Sequence, residues 1–138
     1  MTRLLLSAAL LLFVSNSQAT TQILGPRFHH GETTLSADDR EILSELAALL
    51  KRHENYKVIL YANLGQTEPD DQKLSQIRLV ATEQYLISLG INSTRILTKD
   101  AGHSWPLVPL AVSKDKTHVH ECDEINIRIE PQFVVSVP

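Results

Sequence analysis

With 138 residues, 43% hydrophobic and 21% charged, the chain has the composition of one ordinary globular domain and is too short for two. Thirteen basic and sixteen acidic residues leave a net charge of −3, so no surplus of Lys and Arg exists to neutralise phosphates, which excludes nucleic acid as a partner. A single cysteine excludes an internal disulfide and a zinc site built on cysteines alone.

Arg3 precedes an apolar run from Leu4 to Val14 broken only by Ser7, and Ser17 and Ala19 are the small residues a signal peptidase requires. Residues 1–19 therefore read as a cleaved export signal and residues 20–138 as one mature domain. The run of 11 residues is well short of the roughly 20 that a spanning helix needs. No cysteine stands at the cut, so lipid attachment there is not expected. Loss of Arg3 takes the net charge from −3 to −4. No second long apolar stretch follows, so no transmembrane segment is expected in the mature chain. Export would leave Cys122 either as a free thiol or as half of an intermolecular bond.

Thr21 to Phe28 starts a strand broken by Gly25-Pro26, and His29-His30-Gly31 should turn. Ser36 with Asp39 three residues on is a variant capping box. Behind it Ile42, Leu43, Leu46, Leu49 and Leu50 recur at helical spacing to about His53, with Lys51, Arg52 and His53 in the last turn. Val58 to Ala62 is an apolar run that reads as a central strand covered on both faces. The polar stretch from Asn63 to Asp70, with Gly65 and Pro69, is a loop. A second helix runs from about Asp71 to Leu89, stopped by Gly90 at its C′ position. Arg95 to Thr98 is a short strand, and Asp100 to Lys116 reads as a loop. Ile125 to Ile129 alternates as a half-buried strand does, and Phe133 to Val137 is an apolar tail that packs on its own domain or pairs with a partner's sheet edge. The order β-α-β-α-β-β points to the α+β class, a mixed sheet with helices packed on one face.

No phosphate-binding Gly-rich loop, Gly-x-Ser-x-Gly elbow or His-Glu-x-x-His is present, so neither an enzyme nor a cofactor is expected. Cys122 lies among Glu121, Asp123 and Glu124, which oppose a thiolate nucleophile. His118, His120 and Cys122 alternate with period two and, on an extended segment, would share a face towards Zn or Cu, with His29, His30 or His103 completing the shell. Three ligands on one strand are crowded, and solvated or partly buried histidines are the plainer reading. Trp105 reads as a loop anchor or, less simply, as a ring that stacks on sugar.

The stretch Asp71-Gln72-Lys73-Leu74-Ser75-Gln76-Ile77-Arg78-Leu79, with Thr82, Tyr85 and Leu86 behind it, resembles the signature helix of OmpA-like peptidoglycan-binding domains, Asn-x-x-Leu-Ser-x-x-Arg-Ala-x-x-Val-x-x-Tyr-Leu. Tyr85 to Ile91 is similar to that family's helix end, Gly102-His103-Ser104-Trp105-Pro106 to its Gly-x-Ser-x-Pro loop, and Leu35 to Leu50 to its first helix. The resemblance spans nearly the whole mature chain in the right order. It implies a domain that holds the diaminopimelate side chain of the wall's peptide stem. An Asp after the second strand takes the ammonium, and the signature Arg grips the carboxylate, through charge-assisted hydrogen bonds of roughly 1.5–3 kcal/mol each.

By position Arg78 is that clamp, and the ammonium acceptor falls on Asn63, an amide that accepts without adding charge. Asp71 stands at the helix start, to restore the charge or to cap the helix. Asp123-Glu124 stands where the family carries a basic pair. The plain alternatives are a surface arginine paired with Asp71 or Glu83, and an Asx turn at Asn63. The resemblance thus implies a periplasmic protein, near the outer membrane or cell wall, that binds peptidoglycan non-covalently at a weakened site made by Arg78, Asn63 and Asp71. The alternative is a degenerate domain serving as a protein–protein module of an envelope assembly.

Overall fold

A computed structural model describes residues 24–69, 72–106 and 123–135. In chain order these form α1 (Ala37–Arg52), β1 (Tyr56–Asn63), α2 (Gln72–Ser88), β2 (Ile96–Gly102) and β3 (Arg128–Val135), with a 3-10 turn at Ser93–Arg95. The sheet order is β2-β1-β3. β1 and β2 are parallel, as a connection through a crossover helix requires, and β1 and β3 are antiparallel. The α+β class and the mixed sheet read from the sequence are therefore the observed ones.

Period two along β1 sends Val58, Leu60 and Ala62 to one face, where they are fully buried against Leu43, Leu46, Ala47 and Leu50 of α1 and Leu79 and Leu86 of α2. On the opposite face Ile59 and Tyr61 are half-buried, and Tyr61 meets the Trp105 ring at 5.1 Å. The expectation that β1 is covered on both faces is corrected here: among the described residues both helices lie on one side. Trp105, 47% exposed, rests on Tyr61 and does not anchor its loop in the core.

The helix ends follow their sequence signals. Ser36 Oγ accepts from Asp39 N at 3.1 Å and Asp39 Oδ2 accepts from Ser36 N at 2.9 Å, a reciprocal capping box. At the far end of α2, Gly90 takes φ +96°, its N–H reaches Ile87 O, and Ile91 N reaches Leu86 O, the paired bonds of a Schellman motif. The C-terminus of α1 is closed from outside: Nη2 of Arg95 donates to Leu50 O and His53 O, both at 2.7 Å, and its Nε donates to Tyr56 O. A cation on exposed helix carbonyls serves both hydrogen bonding and the dipole. Arg95→Ala should therefore lower stability by about 2 kcal/mol, read as a shift of the urea midpoint without a change in slope.

Two strand expectations are corrected. The first strand, Thr21 to Phe28, reduces in its described part to a single bridge, Arg27 with Arg128, flanked by Phe28 N to Ile127 O and Ile129 N to Pro26 O. Pro26 donates nothing, so a regular ladder cannot form there, and the segment lies as a strap along the outer edge of β3. The last two strands, Ile125 to Ile129 and Phe133 to Val137, are one: residues 123–126 form a helical turn and β3 then runs unbroken from Arg128 to Val135. Pro131 interrupts nothing because β3 is an edge strand. The described end of the tail packs on its own sheet, Phe133 pairing with Val58 and stacking near Tyr56 at 6.0 Å. No helix of the described residues is long and apolar enough to cross a membrane.

Candidate functional site

The site to test is the end of β1, the loop after it and the inner face of α2. Ser75, Arg78, Leu79, Thr82 and Leu86 make that inner face, so helical spacing turns Arg78 inward with the leucines. Arg78 is 1% exposed. It is therefore not the surface arginine of the plain reading, and among the described residues its carboxylate partner is Glu68, not Glu83. Its Nη1 donates to Glu68 Oε1 at 2.8 Å and its Nη2 to Glu68 Oε2 at 2.5 Å, a two-pronged grip on a carboxylate. Nε donates to Glu32 O at 2.8 Å, Nη2 also reaches His29 O at 3.3 Å, and the guanidinium lies 5.1 Å from the Phe28 ring centre.

Glu68 is equally buried, at 3% exposure. Beyond the two guanidinium bonds, Oε1 accepts from Gly65 N and Oε2 from Gly31 N, each at 2.9 Å. Burial alone would push this carboxyl up, but the Arg78 hydrogen bonds, the two backbone N–H groups and the Arg78 charge together hold it below its usual value. The resulting pair is ionised and saturated.

The loop is fixed a second time from the opposite side. Asp123, fully buried, accepts from Gln66 N, from Thr67 N at 2.8 Å and from Thr67 Oγ1 at 2.5 Å. Gly65 is required for that approach, since a Cβ there would stand 2.7 Å from Asp123 Oδ2. Burial works against the Asp123 charge, but Thr67, Gln66 and Asn126 outweigh it and keep the carboxyl low. Asp123 therefore turns its charge into the loop, whereas Glu124 is half-exposed and meets His29 Nδ1 at 3.2 Å.

Asn63 ends β1, 3% exposed, its Nδ2 donating to Tyr61 O at 3.2 Å. Its Oδ1 is buried with no partner among the described residues, as is Ser75 Oγ. An open cleft of about 460 Å³ lies beside the loop, lined by Gln72 at the start of α2 and by Asp100 to Ser104. Neither Arg78 nor Asn63 lines it. His103 borders it, its Nε2 3.0 Å from Glu68 O. The structure thus brings Arg78 and Asn63 to the same end of the sheet but turns both into protein. Asp71, His118, His120 and Cys122 lie outside the described residues, and among those described no cluster of three metal-ligating side chains occurs. Glu68 is the group that sequence reasoning missed as a site component, and Asp123, noted there only as a change of sign, proves to tie the loop from within. Nothing in their spacing marks them, since each is buried by tertiary contacts.

Residues 27–117 match the OmpA family. The chain belongs to the OmpA family. No curated protein matches the sequence. Among solved structures this chain is similar to the peptidoglycan-associated lipoprotein of Burkholderia pseudomallei, with a TM-score of 0.67 at 17% identity over 80% of this chain and 90% of that one. It is also similar to the C-terminal domain of Helicobacter pylori MotB, with a TM-score of 0.67 at 17% identity over 80% and 84%. The OmpA-like domain of FopA1 from Francisella tularensis gives a TM-score of 0.62 at 24% identity over 79% and 68%. At these identities the likeness shows the OmpA fold. The ligand is a separate matter, and the closed arginine bears on it directly.

Proposed function

We propose that this chain is an exported, non-catalytic member of the OmpA family that acts in the periplasm as a protein-contact module of an envelope assembly, with its inherited ligand slot closed. Residues 1–19 direct export and residues 20–138 form the single domain. One observation supports this reading: the arginine placed to grip a ligand carboxylate already grips Glu68, with both carboxylate oxygens also held by backbone amides. A wall peptide would have to displace an intramolecular partner that is always at hand, and Asn63 in place of an aspartate offers no charge in compensation.

A second reading, peptidoglycan binding through Arg78, Asn63 and Asp71 at a weakened site, has its own support. Asn63 Oδ1, where the resemblance puts the ammonium acceptor, is buried and lacks a donor. A neighbour in fold is named as peptidoglycan-associated. Centrifugation with purified sacculi separates the two. Under the first reading the mature chain stays in the supernatant, and Asn63→Asp leaves it there. Pelleting of the wild type, strengthened by Asn63→Asp, would establish the second.

A further inference from the structure

We infer that the outer face of the sheet is a self-association surface whose occupant is a second copy of this chain, related to the first by a two-fold axis running along β1. A sheet with one face on the core ordinarily turns alternating polar residues to water on the other. Here the outward positions of β1 are Ile59 and Tyr61, both half-buried, beside Leu97 at 48% exposure, Val134 at 42% and Trp105 at 47%. These residues are contiguous: Leu97 pairs with Ile59, Val134 with the neighbouring Lys57, and the Trp105 ring packs on Tyr61. Trp105 is fixed in place, since Nη2 of Arg128 donates to its carbonyl at 3.1 Å. An apolar patch that crosses three strands marks a contact surface.

One row of the sheet says what covers it. Tyr61 pairs with Lys99 of β2 on one side and with Glu130 of β3 on the other, so the row reads basic, aromatic, acidic. Lys99 Nζ lies 5.8 Å over the Tyr61 ring, and Arg128 holds the Glu130 carboxylate through Nε and Nη2. A two-fold axis parallel to the strands sets β2 of one copy over β3 of the other at the same height. Lys99 then faces Glu130 of the second copy, and the pairing occurs twice. Tyr61 and Trp105 close on their own counterparts along the axis, and in the next row Leu97 covers Gln132. Sheets packed face to face lie roughly 10 Å apart, a gap that a Lys and a Glu side chain span end to end. The other axis in the plane, perpendicular to the strands and centred on the same row, would set Lys99 on Lys99 and Glu130 on Glu130. Charge therefore selects one dyad.

This inference rests on the protein-contact reading above and names a partner for it. Sedimentation equilibrium of the mature chain, in reductant so that Cys122 forms no covalent dimer, should show a reversible dimer between about 1 µM and 1 mM. Lys99→Glu and Glu130→Lys each put like charges together twice and should weaken the dimer at least about tenfold. Mixing the two variants should restore pairing, because each then meets the opposite charge, and the double variant should pair with itself. If Glu130→Lys does not fold once Arg128 loses its partner, Leu97→Lys with Gln132→Glu runs the same exchange one row away. A wild type that stays monomeric through that range overturns the proposal, as does a dimer that Lys99→Glu leaves unchanged or that mixing fails to restore. The two readings fail separately. A monomer that ignores sacculi refutes the dimer and leaves the protein-contact reading, whereas a charge-swappable dimer that pellets with sacculi refutes that reading and leaves the dimer.

Discussion

Arg78→Ala should lower stability by about 3–5 kcal/mol, because it strands the Glu68 carboxylate in the interior. The change also removes the donors to Glu32 O and His29 O. A surface arginine replaced in the same way would change stability by about 0.5 kcal/mol or less, so the size of the effect alone separates a buried tie from an exposed clamp. The loss is a large share of the roughly 5–15 kcal/mol that holds a domain of this size. Urea denaturation of wild type and variant measures it. The pair can be examined further by removing both charges: Arg78→Met with Glu68→Leu should be less destabilised than either single change, since neither charge is then left alone. An additive double variant would mean that the two side chains do not depend on one another.

Acid should loosen the loop on both sides. Glu68 and Asp123 each have a folded value below the unfolded one, near 4.5 and 3.8 respectively. As pH falls the unfolded chain takes up these protons first. The stabilisation is therefore complete above about pH 4.5 and disappears as the pH drops through the lowered folded values. Asp123→Asn weakens the bonds from Gln66 N, Thr67 N and Thr67 Oγ1 and should lower stability by about 2–3 kcal/mol at pH 7. The variant should then lose less than wild type between pH 6 and pH 3, because one of the two titrating groups is gone. Urea midpoints at those two pH values check both statements, and parallel curves for variant and wild type would refute the assignment.

The elements that the sequence made legible are those carried by local chemistry. The Ser36–Asp39 box, the leucine spacing of α1, the glycine after α2 and the apolar run of β1 each depend on neighbours within a few positions, and each stands where it was read. The end of the chain was harder. Ile125, Ile127 and Ile129 alternate, yet the alternation crosses from a helical turn into a strand, because Asp123 is drawn into the Gln66–Thr67 loop and the turn forms around it. At the site, the resemblance located Arg78 and Asn63, but a signature helix says nothing about what faces it. Glu68 lies ten positions before Arg78 in a polar loop with Gly65 and Pro69, the composition of solvent-exposed turns. Its burial arises only when the Gly31 turn, α2 and the loop converge, and no periodic pattern encodes that meeting.

The strap along β3 joins residues far apart in the chain, Arg27 bridging Arg128 and Pro26 O receiving Ile129 N. A chain emerging from its N-terminus has delivered α1, β1, α2 and β2 while the free side of β1 still waits for residues 128–135. Until those arrive, the strap has no edge to lie on and the central strand offers unpaired amides and carbonyls to any passing chain. Closure through contacts about a hundred positions apart is slow compared with helix formation. A half-synthesised molecule is therefore a dependent one, and shielding of the β1 edge during that interval is a demand the topology itself imposes.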